Sequence, residues 1–182
     1  MTLLLLELHV PVKETIHGEA DLWRALAALG PQLVVYLMSF ITLGIFWVGQ
    51  QAQLNLLARS DRHITWIHLG FLFVVTILPF STRLLAEFIT FRAALICYWG
   101  NILALGVFLL FSWMYVTRAG LVNSDTTPAD RKAVRRRIVG AQALYAFGAL
   151  LCVINTYVSI AVIVLIQLHF AIGYRSRWLS RI

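Results

Sequence analysis

Amide and imidazole side chains are few within the apolar runs of this chain, so each one narrows the chemistry. They are Gln50, Gln51, Gln53 and Asn55 in the first long run, His68 in the second and Asn101 in the third. Gln142 follows in the fourth, and Gln167 and His169 in the last. A polar group placed in hydrocarbon is costly and marks either function or helix–helix contact. Gln50, Gln53 and His68, with Gln51 beside them, form a candidate supporting network near one interface. Its bland reading is glue between helices, at about 1 kcal/mol per hydrogen bond; its sharper reading is direct contact with a ligand. Haem needs two axial histidines from different helices. His68 and His169 each lie about one turn inside the same interface and are the candidates for it.

Other chemistries find no residues. No carboxylate pair, glycine-rich phosphate loop or nucleophile motif sits at membrane depth, and Glu7 and Glu87 fall at the outer interface. The sequence therefore does not read as an enzyme. Cys97 and Cys152 both lie within apolar runs, where a lone cysteine packs as a small apolar residue. They suggest neither a disulfide framework nor a zinc site, and no metal or cofactor is expected.

The N-terminus raises a different possibility. Thr2, Leu3, Leu4, Leu5 and Leu6 follow the initiator Met directly, and Glu7 comes next. A secretory signal needs a basic region first, so this is not one. The run is also too short to span, since seven helical residues reach only about 10 Å against a hydrocarbon core of about 30 Å. Leu3 and Leu6 are three apart and share a helical face. Around a symmetry axis such a face can line an apolar constriction that gates ions by dewetting. Taken alone, four such leucines far more often face lipid or core.

The elements that must position these residues follow from hydropathy. The chain has 182 residues, 60% hydrophobic, with a net charge of +7. The excess of apolar residues is gathered into long runs between short charged segments, the pattern of a polytopic membrane protein. The expected fold is an all-α membrane helix bundle in one domain: five full transmembrane helices plus the outer half of a first helix. The stub occupies 1–10 and the spans about 31–57, 64–88, 93–116, 138–154 and 157–174. Ala20 to Leu29 reads as a short interfacial helix with Trp23 at the membrane surface. Pro79 falls inside the second span, frees the Val75 carbonyl and predicts a kink, with Ser81 and Thr82 near enough to help satisfy the backbone. Arg83 and Glu87, four apart, suit an ion pair at the far interface. Thr127-Pro128-Ala129-Asp130 is a helix start. Ile138 to Tyr174 carries no charge over 37 residues. As one helix that stretch would reach about 55 Å, so it must fold back, and Asn155-Thr156 is the best turn.

Charge sets the orientation. Eleven of the Lys and Arg residues fall on one side of the spans, among them Arg131, Lys132, Arg135, Arg136 and Arg137, and four fall on the other. The first side, with the C-terminus, is cytoplasmic by the positive-inside rule. The basic residues thus belong to membrane topology, and nucleic acid is not an expected partner.

Several stretches resemble the prokaryotic branch of the transmembrane protein 175 family, the lysosomal potassium channels. Thr2-Leu3-Leu4-Leu5-Leu6-Glu7 running out to Val10-Pro11 is similar to the end of that family's first helix. Tyr36 to Phe40 with Phe46-Trp47 resembles its second. Thr65-Trp66-Ile67-His68-Leu69 with Leu78-Pro79-Phe80-Ser81-Thr82 resembles its third and is the most specific. The resemblance is clear over about residues 1–90. It implies a six-helix subunit, assembled as a homotetramer in the membrane lipids, conducting potassium ions through a central pore. It also implies that the first helix lines that pore with Ile and Leu side chains, placing Thr2, Leu3 and Leu6 there. The family's Arg followed by Phe-Ser-Asp is absent, as is the Ile position before Met1. Gln50-Gln51 replaces a His pair, and His68 stands where an Asn is usual.

Three readings result. The first is a tetrameric potassium-permeable channel subunit in a prokaryotic plasma membrane, its N-terminus incomplete or its start misassigned. The second is a non-conducting membrane scaffold or partner subunit. The third is a haem-binding electron carrier.

Overall fold

The computed structural model describes residues 18–178, with side chains through Ala171. The described residues fold as helices joined by short turns. A short helix α1 (Glu19–Ala28) leads through Leu29 into α2 (Gly30–Leu54), with Pro31 in its first turn, where a missing N–H costs nothing. Then come α3 (Arg62–Glu87), α4 (Arg92–Arg118) and α5 (Pro128–Leu150). A single turn of tighter helix, Leu151–Val153, precedes α6 (Thr156–Trp178).

Helices α2, α3, α4 and α5 are long and apolar enough to cross a membrane, and α6 is apolar through Ala171. Their outward faces carry large apolar side chains: Trp66, Phe73 and Phe80 are 63%, 67% and 64% exposed. An exposed apolar surface of that extent is stable only against lipid or another subunit. This is an integral membrane protein.

Residue chemistry sets each boundary. Asp61 caps α3, its carboxylate accepting from the Ile64 amide at 2.8 Å. Thr127 and Asp130 form a reciprocal capping box at the start of α5, so this helix begins in the basic segment and carries Arg131 to Arg137 on its first turns. Asn155 Oδ1 accepts from the amides of Tyr157 and Val158 at 2.8 and 3.4 Å and starts α6. The long uncharged stretch is turned there.

α2 stops at Leu54 because the chain then pairs elsewhere. Ala58 N donates to Leu121 O and Asn123 N to Leu56 O, both at 2.9 Å. Leu57 and Val122 form an isolated antiparallel bridge between the α2–α3 and α4–α5 loops. Gly120, with φ +65°, makes the turn after α4 that a side chain would resist. The two loops are therefore zipped together at the end of the bundle that holds Arg59, Arg62, Arg118 and the basic turns of α5. At the opposite end Arg92 Nη2 donates to Val153 O at 2.9 Å, and Arg83 Nε meets Glu87 Oε1 at 3.2 Å.

The core lies between α3 and α4, which share the most extensive packing, with α2, α5 and α6 closing around them. Leu78, Leu85, Leu95, Ile102 and Leu105 are fully buried there. α4 and α5 come close at Gly106, where an added Cβ would overlap the Gln142 side chain. α3 runs on through Pro79. The hydroxyls of Ser81 and Thr82 both donate to Leu78 O, at 3.0 and 2.7 Å. Leu78 lies one turn behind them, whereas the Val75 carbonyl that proline frees is almost two turns away and out of their reach.

Candidate functional site

Five polar side chains meet in the centre of the bundle, on four different helices. Ser39 and Thr42 sit three apart on α2 and so share a face; Thr82 comes from α3, Tyr98 from α4 and Gln167 from α6. Ser39 Oγ and Thr82 Oγ1 are 2.7 Å apart. Thr42 Oγ1 lies 3.0 Å from the Tyr98 hydroxyl, which also accepts from Ser39 Oγ at 3.4 Å. Gln167 Nε2 donates to Thr42 Oγ1 at 2.6 Å. Thr42 in turn reaches Met38 O at 2.9 Å, and Thr82 reaches Leu78 O. All five side chains are essentially inaccessible, with Tyr98 and Gln167 at 0%. In a medium without water a hydrogen-bonded network of this kind fixes the relative position of the helices that contribute to it.

A cavity of about 110 Å³ opens beside this framework, between α2, α4 and α5, lined by Gly49, Gln53, Leu109, Arg137, Gln142 and Tyr145 among others. Gln53 Nε2 donates to Leu109 O at 3.2 Å and Gln142 Nε2 to Ile102 O at 3.5 Å, each bridging to α4. That leaves Gln53 Oε1, Gln142 Oε1 and the Tyr145 hydroxyl without a hydrogen-bond partner.

The residues singled out by the sequence are dispersed. Thr2, Leu3 and Leu6 lie outside the described residues. Gln50 is buried, while Gln51, next to it, is exposed. His68 faces α4, its Nε2 3.3 Å from Ser112 Oγ, and bonds to neither glutamine. The glutamine that joins the helix contacts is Gln53. Asn101 is buried with its Oδ1 unpartnered. His169 packs edge-on against Phe170, ring centroids 5.8 Å apart. Among the described residues no group of three or more His, Cys, Asp or Glu side chains comes together to hold a metal ion.

Sequence reasoning passed over Ser39, Thr42 and Tyr98, and took Thr82 only as a partner for its own backbone. One signal was present: two hydroxyl residues three apart on α2, on the same face as Val35, Met38 and Phe46, all buried.

At the end of the bundle that carries the basic residues, Asp61 also accepts from the Tyr115 hydroxyl at 2.5 Å. The Ile64 amide first, then that hydroxyl, hold the Asp61 carboxyl below its ordinary value of 3.8. The arrangement ties the α3 cap to α4.

Comparison with known proteins agrees with this bundle. The profile of the family described as endosomal/lysosomal potassium channel TMEM175 matches residues 1–79. A potassium channel of Streptomyces collinus is 28% identical over 175 residues, covering 93% of this chain and 84% of its own. A potassium channel of Chamaesiphon minutus is 28% identical over 178 residues, covering 94% and 86%. The crystal structure of a lysosomal potassium-selective channel TMEM175 homolog, also from Chamaesiphon minutus, superposes with a TM-score of 0.79 at 26% identity, over 94% of this chain and 88% of that one. With a family profile on its N-terminal part, relatives aligned along nearly its whole length and a shared helical bundle, the chain is similar to the TMEM175 potassium channels in sequence and in fold.

Proposed function

We propose that the chain is one subunit of a potassium-permeable channel. The observation that carries this is the likeness, over 94% of the chain, to the structure of a potassium-selective homologue. Four subunits surround a pore on their common axis. The segment before α1 lines it, with Thr2, Leu3 and Leu6 of each subunit facing the axis. Potassium passes the leucine rings partly dehydrated, so conduction depends on the width and wetting of an apolar constriction and not on a carbonyl filter. The Ser39–Thr42–Thr82–Tyr98–Gln167 framework holds α2, α3, α4 and α6 as a rigid body against which the pore segment is seated, and Gln50, Gln51, His68 and the Pro79 turn of α3 support it from the side. No cofactor is needed. The membrane is a prokaryotic plasma membrane, with the C-terminus cytoplasmic, in keeping with the gathering of Arg59, Arg118 and the basic turns of α5 at one end of the bundle.

The test is potassium flux into liposomes reconstituted with the full chain. Flux above protein-free liposomes is expected. Its absence from an intact, folded oligomer contradicts the reading.

A further inference from the structure

One face of α5 changes character along its length. Its membrane-surface end carries Lys132 and Arg136, both exposed, with Arg137 beside them, and one to two turns deeper the helix offers Gly140, Ala141, Ala143 and Leu144. With Phe170 of α6 as its far wall, this face forms an open groove of about 1000 Å³. Lys132, Arg135 and Arg136 have no carboxylate within ion-pairing distance among the described residues. The nearest acid along the chain, Asp130, is engaged in the capping box. From Lys132 to Leu144 the groove runs about 18 Å along the helix, from the interface well into the hydrocarbon.

A rim of unneutralised cations above a narrow apolar floor is the complement of an amphiphile with an anionic head. We infer that this groove binds an anionic phospholipid, its phosphate between Lys132 and Arg136 and an acyl chain laid over Gly140 and Ala143 beside Phe170. Positive-inside topology accounts for the number of charges but not for a small-residue trough continuing from them on one helix face. Basic pockets between transmembrane helices hold lipid head groups in this way. The small residues matter because they leave room for the chain: a Cβ on Gly140 meets nothing within 4 Å, so a larger side chain there enters the groove and not the protein core.

The experiment titrates the delipidated full chain with phosphatidylglycerol, phosphatidylcholine and inorganic phosphate, reading bound lipid by native mass spectrometry and stabilisation by thermal shift. Phosphatidylglycerol should bind at least about tenfold more tightly than phosphatidylcholine, and inorganic phosphate should reproduce little of its shift. Both the K132Q/R136Q pair and Gly140→Leu should weaken phosphatidylglycerol at least about tenfold. Arg118→Gln, which removes a charge outside the groove, should leave it unchanged. Gly140→Leu keeps every charge, so wild-type lipid affinity in that variant overturns the groove. Equal affinity for the two lipids, an equal shift from phosphate alone, or an equal loss in Arg118→Gln overturns it too.

Discussion

Gln167 Nε2 donates to Thr42 Oγ1 at 2.6 Å, joining α6 to α2 across 125 residues of sequence. The bond closes the bundle, because Thr42 also meets the Tyr98 hydroxyl of α4. The two partners are not equivalent. Gln167 ends the chain of bonds and already has an unpartnered Oε1, whereas Thr42 sits at its centre.

Replacing each with an apolar side chain of similar shape should therefore give different losses. Gln167→Leu removes one interhelical bond together with an unpartnered carbonyl and should cost about 1 kcal/mol or less. Thr42→Val strands the Gln167 amide in a dry core and leaves the Tyr98 hydroxyl only its longer contact with Ser39 Oγ, and should cost about 1–3 kcal/mol. Thermal unfolding in detergent ranks the two. A greater loss in Gln167→Leu contradicts the centrality of Thr42.

The close approach of α4 and α5 yields a coupled prediction. Gly106→Ala places a methyl group where the Gln142 side chain lies, and should destabilise by about 1–3 kcal/mol. Gln142→Ala should restore most of that loss in the double variant, since the obstacle is then gone. Additive losses across the cycle would show that the strain lies in the backbone instead.

Asp61 makes the helix cap sensitive to acid. The Ile64 amide and then the Tyr115 hydroxyl stabilise its charged form, so its folded pKa lies below the ordinary 3.8. The contribution is present above about pH 4 and is lost as pH falls through the folded value. Asp61→Asn keeps a capping side chain but cannot titrate. Melting temperature measured from pH 3 to pH 7 should fall less steeply at the acid end in this variant than in the wild type. Identical acid profiles would mean that the cap does not report on folding.

Much of the bundle was legible because the bilayer makes hydropathy a length measurement. The uncharged stretch after Arg137 had to turn, and Asn155 was the residue able to cap a new helix. Thr127 and Asp130 announced α5 by their spacing. The central framework was hidden for a physical reason. A mid-helix Ser or Thr can bond its own helix, as Thr42 does to Met38, so residue type does not reveal which hydroxyls also reach a neighbour. The glutamines near the end of α2 illustrate the same limit. Gln50, Gln51 and Gln53 look alike in sequence, yet the helical repeat turns Gln53 toward Leu109 and Gln51 outward. His68 lies on the face of α3 that meets α4, where Ser112 awaits it, and not beside those glutamines.

In the proposed channel, ions cross between rings of Leu3 and Leu6. This is tested most directly by current through Leu6→Cys channels in a Cys97→Ala background, which removes the exposed native thiol. A charged, membrane-impermeant thiol reagent is then added during potassium recording. The reagent should block most of the current in Leu6→Cys and none in the background alone. Full labelling of Leu6→Cys with an unchanged potassium current would place the pore elsewhere.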